Sequence, residues 1–137
     1  MMVKEASAQK VKGRLSMTFA YDDVSQETRM LVCDQEPPLR VIRAFPLAGG
    51  ATLVHIHNLS GGILGGDTLS ISADIGPRSA VQLTSTSATR LYRSSPTAPI
   101  ATQTYSMQVR EGGLLEYLPD PLIPFAGSRY QQQTHID

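Results

Sequence analysis

An all-β fold is predicted, and three observations predict it. Apolar and polar residues alternate with period two along most of the chain. Serine and threonine fill many of the intervening positions, which suits pleated surfaces and disfavours helix interiors. Glycine and proline pairs interrupt the alternation at short intervals, and no stretch carries a convincing amphipathic helical repeat. The expected architecture is a set of stacked β-sheets of helicoid-like or sandwich type, with few or no helices. No sequence repeat of fixed period is present, which argues against a regular solenoid.

The strands are read in order. Leu15, Met17 and Phe19 face one way, and Arg14, Ser16 and Thr18 the other. Met30 to Cys33 is a second apolar run, closed by Pro37-Pro38, and Leu39 to Arg43 a third, closed by Pro46. Ala51 to His57 reads as a buried central strand. Leu69, Ile71, Ala73 and Ile75 alternate with Ser70, Ser72 and Asp74. Val81–Thr86, Gln103–Arg110 and Leu114–Leu118 follow, separated by Gly76-Pro77, Pro96 to Pro99 and Gly112-Gly113. Only Ser87 to Leu91 has short helical potential. Arg129 to Asp137 begins another strand.

Composition narrows the function classes. The chain has 137 residues, 41% of them hydrophobic, enough for one β-rich domain over residues 1–137. Twelve basic residues balance twelve acidic ones, so no charge surplus points to nucleic acid. The single cysteine, Cys33, excludes an internal disulfide and a multi-cysteine zinc site. No signal-peptide core and no apolar run of membrane length is seen, and a cytoplasmic location is expected.

The segment His55 to Asp67 holds the densest chemistry. His55 and His57 lie two apart, so on a strand both point to one face. They could ligate a transition metal with Asp67 across the loop, or form a hydrogen-bonded pair on a half-buried face. Gly61, Gly62, Gly65 and Gly66 imply positive φ or a backbone packed too closely for a Cβ. An anion nest is the alternative use of this loop. It lacks the Lys-Ser/Thr ending of a P-loop, and it opens no helix. Arg90, Tyr92 and Arg93 end a hydroxyl-rich strand, and are read as interface anchors or as a charged edge. No nucleophile elbow or carboxylate couple appears, which favours binding or assembly over catalysis.

Three blocks occur in order: Ser60-Gly61-Gly62-Ile63-Leu64-Gly65-Gly66-Asp67, then Thr84 to Arg90-Leu91-Tyr92-Arg93-Ser94, then Leu115-Glu116-Tyr117-Leu118-Pro119 running on to Ile123-Pro124-Phe125. Together they resemble the urease accessory protein D family, over about residues 12 to 137. The resemblance implies a non-enzymatic chaperone of urease maturation. Its implied partners are apo-urease and companion accessory proteins, a GTPase among them, with neither nucleic acid nor membrane. No tightly bound cofactor is implied; nickel is in transit to the urease active site. His55, His57 and Asp67 then become polar contacts on a transient route, and Arg90, Tyr92 and Arg93 partner contacts. The implied fold is a helicoid-like stack of sheets with an internal passage. Family members continue with further strands, so the chain is expected to be the N-terminal portion of a longer one.

Overall fold

Thirteen strands and a single 3-10 turn account for the regular structure of residues 11–137, the part of the chain that the computed structural model describes. The strands are β1 (Lys12–Asp22), β2 (Glu27–Glu36), β3 (Leu39–Arg40), β4 (Ala44–Pro46), β5 (Thr52–Asn58), β6 (Gly62–Ile63), β7 (Thr68–Ile75), β8 (Ala80–Ser85), β9 (Thr89–Leu91), β10 (Ala101–Val109), β11 (Leu114–Leu118), β12 (Leu122–Pro124) and β13 (Tyr130–Ile136). The all-β expectation therefore holds. Among the described residues no helix is long and apolar enough to cross a membrane.

From β5 onward each strand pairs in parallel with the strand three places later. β5, β8 and β11 make one face, β6, β9 and β12 a second, and β7, β10 and β13 a third. Parallel neighbours need a long return path. Here the strands of the other two faces supply it, so the chain winds through three turns of a three-sided coil. Thr52 pairs with Val81 and Val81 with Leu115, a step of about 30 residues, within the range of solenoid repeats. The lack of a fixed sequence period has its counterpart here, for the steps of the coil are unequal. The coil is present, but unequal loops break the period, and the repeat lives in backbone register rather than in residue type.

The start of the coil is capped. β1 adds in parallel to β7, and β2 returns antiparallel along β1. β3 and β4 run antiparallel to β5. Two local expectations change. Leu39 to Arg43 is not one strand, because β3 ends at Arg40 and β4 starts at Ala44. Ser87 to Leu91 is not helical; Thr89–Leu91 is a strand held between β6 and β12. Three residues cannot nucleate a helix that would outweigh a parallel ladder on both sides.

The core follows the alternation. Leu15, Met17 and Phe19 from β1, Leu69, Ile71 and Ile75 from β7, Val54 from β5 and Val81 and Leu83 from β8 are all essentially inaccessible. Each such side chain contributes about 1.5–3 kcal/mol by leaving water. The ion pairs lie at the surface, Arg110 with Asp74 and Arg14 with Asp34 and Glu36 among them. Water and salt screen such exposed pairs, so they add little to stability.

Candidate functional site

The interior of the coil changes character along its length. In the first turn the inward positions are Val54, Ile56, Ile63, Leu69 and Ile71. In the second and third turns Ser85, Gln103, Tyr105, Tyr117, Tyr130 and Gln132 join them. A cavity of about 150 Å³ opens there, walled by Leu39, Ile56 and Ile71 on one side and by Ser85, Tyr117 and Asp120 on the other.

Its polar wall is tied together by hydrogen bonds. The backbone N–H of Asp120 donates to Ser85 Oγ at 2.7 Å, and Ser85 Oγ donates to Asp120 Oδ2 at 3.1 Å. Thr84 Oγ1 donates to the Leu118 carbonyl at 2.7 Å. Gln103 Nε2 donates to the Tyr105 hydroxyl, and the Tyr130 hydroxyl donates to Gln132 Oε1 at 2.8 Å. The rings of Tyr105 and Tyr117 lie 5.3 Å apart. Burial pushes the phenols of Tyr105, Tyr117 and Tyr130 above their ordinary range, and the closeness of Tyr105 adds to the rise at Tyr117 and Tyr130. All three stay neutral hydroxyls at physiological pH. They offer hydrogen bonds but no charge, leaving Asp120 as the carboxylate on the wall.

The glycine loop, which contains β6 and leads into β7, has a different role. Gly61 and Gly66 have φ of 76° and 88°. A Cβ on Gly62 would strike the Tyr92 ring and come within 2.7 Å of the Arg90 carbonyl; one on Gly65 would meet Ser94 Cβ at 2.7 Å. Two glycines turn the chain and two let it lie against β9 and the segment after it. Asp67 closes the loop. Its Oδ2 accepts from the Leu64 N–H at 2.9 Å and its own N–H donates to the Leu64 carbonyl at 3.0 Å. Burial raises its pKa, against the backbone hydrogen bonds that lower it. The loop thus already holds a carboxylate of its own on an inner amide, which leaves less attraction for an outside anion.

His55 and His57 do share one strand face, as their spacing requires. That face is the outer one. Val54, Ile56 and Asn58 alternate with them and point inward, Ile56 and Asn58 onto the cavity. His55 stands edge-on to Phe45 at 5.9 Å, and His57 pairs with Arg40 across the ladder. Among the described residues no three histidine, cysteine, aspartate or glutamate side chains come together to hold a metal ion, so His55, His57 and Asp67 do not converge. Arg90, Tyr92 and Arg93 also part company. Tyr92 packs on Gly62 and against Phe125 at 5.5 Å, Arg93 bridges to Ser128, and Arg90 is exposed beside Ile123.

The motif blocks contain Ser85, Tyr117 and Asp120, but nothing in their spacing brings these residues together with Gln103, Tyr105 and Gln132 as one cavity. One signal was there: Gln103 stands in the inward phase of the same alternation as Tyr105 and Met107. A polar side chain in a core phase marks either a network or a ligand site.

Known proteins are similar to this chain over most of its length. A family model described as UreD urease accessory protein matches residues 11–137. The urease accessory protein UreD of Herpetosiphon aurantiacus is 45% identical over 129 residues, covering 94% of this chain and 44% of the relative. That of Deinococcus radiodurans is 39% identical over 125 residues, 91% of this chain and 44% of the relative. That of Aliivibrio fischeri is 33% identical over 121 residues, 88% of this chain and 42% of the relative. The chain therefore spans less than half the length of these curated relatives. Two of the motif blocks, around Ser85 and around Asp120, meet as the polar wall of the cavity, and the third builds the loop that Asp67 closes. On the match across all the described residues, the chain belongs to the UreD urease accessory protein family.

Proposed function

We propose that this chain acts in urease maturation as a non-catalytic chaperone, binding apo-urease and companion accessory proteins, a GTPase among them, and helping nickel reach the urease active site. The observation that carries the nickel part is the change from an apolar to a polar interior along the coil, with a cavity where the change occurs. A passing divalent ion needs exchangeable oxygen contacts rather than a closed cage. Neutral hydroxyls, carboxamides and the Asp120 carboxylate suit that need. On this reading His55 and His57 give at most a weak contact from the outer face, where the nearby guanidiniums of Arg40 and Arg43 oppose a cation. Asp67 shapes the route by holding the loop, and Arg90, Tyr92 and Arg93 contribute to the partner surface.

The test is a hybrid. The Herpetosiphon aurantiacus relative, with its matching segment exchanged for residues 11–137 of this chain, is produced with urease and the other accessory proteins in cells lacking their own. Nickel per urease active site should match that obtained with the unaltered relative. Nickel no higher than without any such protein, from a hybrid that is soluble and folded, contradicts the reading.

A further inference from the structure

We propose that the outer face of β3, β4 and β5 docks an acidic, apolar-bearing segment of a partner protein, with Arg40 and Arg43 as its carboxylate contacts. The proposal goes beyond the nickel reading and stands apart from it, because it rests on where charges lie outside the coil.

The chain is neutral overall, but its surface charge is not evenly matched. Arg14, Arg29, Arg78 and Arg110 each lie within 3.3 Å of an Asp or Glu oxygen. Arg40, Arg43, Arg90, Arg93 and Arg129 have no such partner among the described residues, and of these Arg40 and Arg43 lie together at one edge of a sheet. The antiparallel register places them together. Arg40 faces His57 and Phe45 faces Leu53, and Arg43 lies in the break between β3 and β4, next to Ala44, which faces Val54. Arg40, Phe45, Leu53, His55 and His57 occupy the outer phase of the pleat, since the alternate positions Leu39, Val54 and Thr52 are buried, and Arg43 is exposed in the break between β3 and β4.

Arg43 is also pre-set for a carboxylate. Its guanidinium carbon sits 4.4 Å above the centre of the Phe45 ring, and the His55 ring braces the same phenyl edge-on. A guanidinium held over a ring engages it by cation–π attraction and still has N–H donors for a carboxylate, which it can take through two parallel bonds. Beside it Ile42 is 70% exposed, an apolar foothold next to the charge. Within the strands of this sheet the outer phase carries one acid, Glu116, on β11, two strands beyond β5.

A nucleic acid fits less well. Its phosphates repeat every few ångströms and call for a longer run of cations than two arginines within a neutral surface. An acidic peptide needs only the pair and the apolar footing.

The test uses the chain itself and a fluorescein-labelled dodecapeptide alternating glutamate with leucine, followed by anisotropy. Saturable binding that weakens with added sodium chloride is expected, at least about tenfold weaker in the R40E/R43E variant. The R78E variant, changed at an exposed arginine elsewhere, should bind like wild type. R40Q/R43Q repeats the comparison without charge reversal, should the double reversal alter the circular dichroism spectrum. Wild-type binding by the arginine variants, or no saturable binding at all, overturns the proposal. So does tighter binding of an oligothymidylate of equal length that is lost in the same variants, which would assign the face to nucleic acid.

Discussion

The first and third turns of the coil are built on one backbone plan and filled differently. In the first, Val54, Ile63, Leu69 and Ile71 are at most 2% exposed, and β1, β2, β3 and β4 cover the end. In the third, Leu114, Leu118, Leu122, Ile123 and Ile136 are 42–60% exposed, and the inward positions include Tyr117, Tyr130 and Gln132. Parallel pairing repeats faithfully in both. Backbone register therefore sets the shape of the coil, while side-chain choice decides whether a turn is a packed core or the wall of a polar space. Stability should reside mainly in the first two turns and β1, and function toward the third.

Core truncations test that division most strongly. Phe19→Ala and Leu83→Ala should each cost about 3–5 kcal/mol, read from urea midpoints, because both side chains are fully enclosed and leave a cavity. Leu118→Ala in the third turn should cost less than about 1 kcal/mol. Equal losses at both places would erase the contrast.

The glycine loop sharpens the comparison at a smaller scale. Gly62→Ala pushes a methyl into the Tyr92 ring and the Arg90 carbonyl, and should cost about 1–3 kcal/mol. Gly61→Ala meets open space and suffers only from its φ of 76°, so about 1 kcal/mol is expected. If the two are equal, close packing is not what requires the second glycine.

Two aspartates should respond to pH with opposite sign. The pKa of Asp67 is raised by burial, so its folded form holds a proton more readily than the unfolded chain does. Its contribution is present below the unfolded pKa and is lost as pH rises through the folded pKa. The pKa of Asp74 is lowered by hydrogen bonds from Arg110, so its contribution is present above the unfolded pKa and is lost as pH falls through the folded pKa. Urea midpoints should show Asp67→Asn gaining on wild type, and Asp74→Asn falling behind, as pH rises from about 3 to about 7. A shared sign would mean that Asp67 is not desolvated in its loop.

The fold was legible because alternation is a local property. Leu15, Met17 and Phe19, and Leu69, Ile71 and Ile75, announce their buried faces without reference to any neighbour. The coil was not legible, because register between β5, β8 and β11 depends on loops of unequal length. The site was legible only in part. The four glycines and Asp67 show a shaped loop, and the three motif blocks carry the family likeness. That Ser85 and Asp120, 35 residues apart, bond to each other is a fact of tertiary pairing. The histidine spacing gave their common face but not which face, since a period of two leaves inside and outside undecided until the neighbouring Val54 is seen to be buried.

The polar interior is tested most directly by closing it. Ser85→Leu puts an apolar side chain where Ser85 and Asp120 now form the wall of the cavity. In the Herpetosiphon aurantiacus hybrid carrying this substitution, nickel per urease active site should fall toward the level seen without the accessory protein, while the hybrid still copurifies with urease. Full nickel loading by a folded hybrid with the cavity filled would contradict passage through the coil.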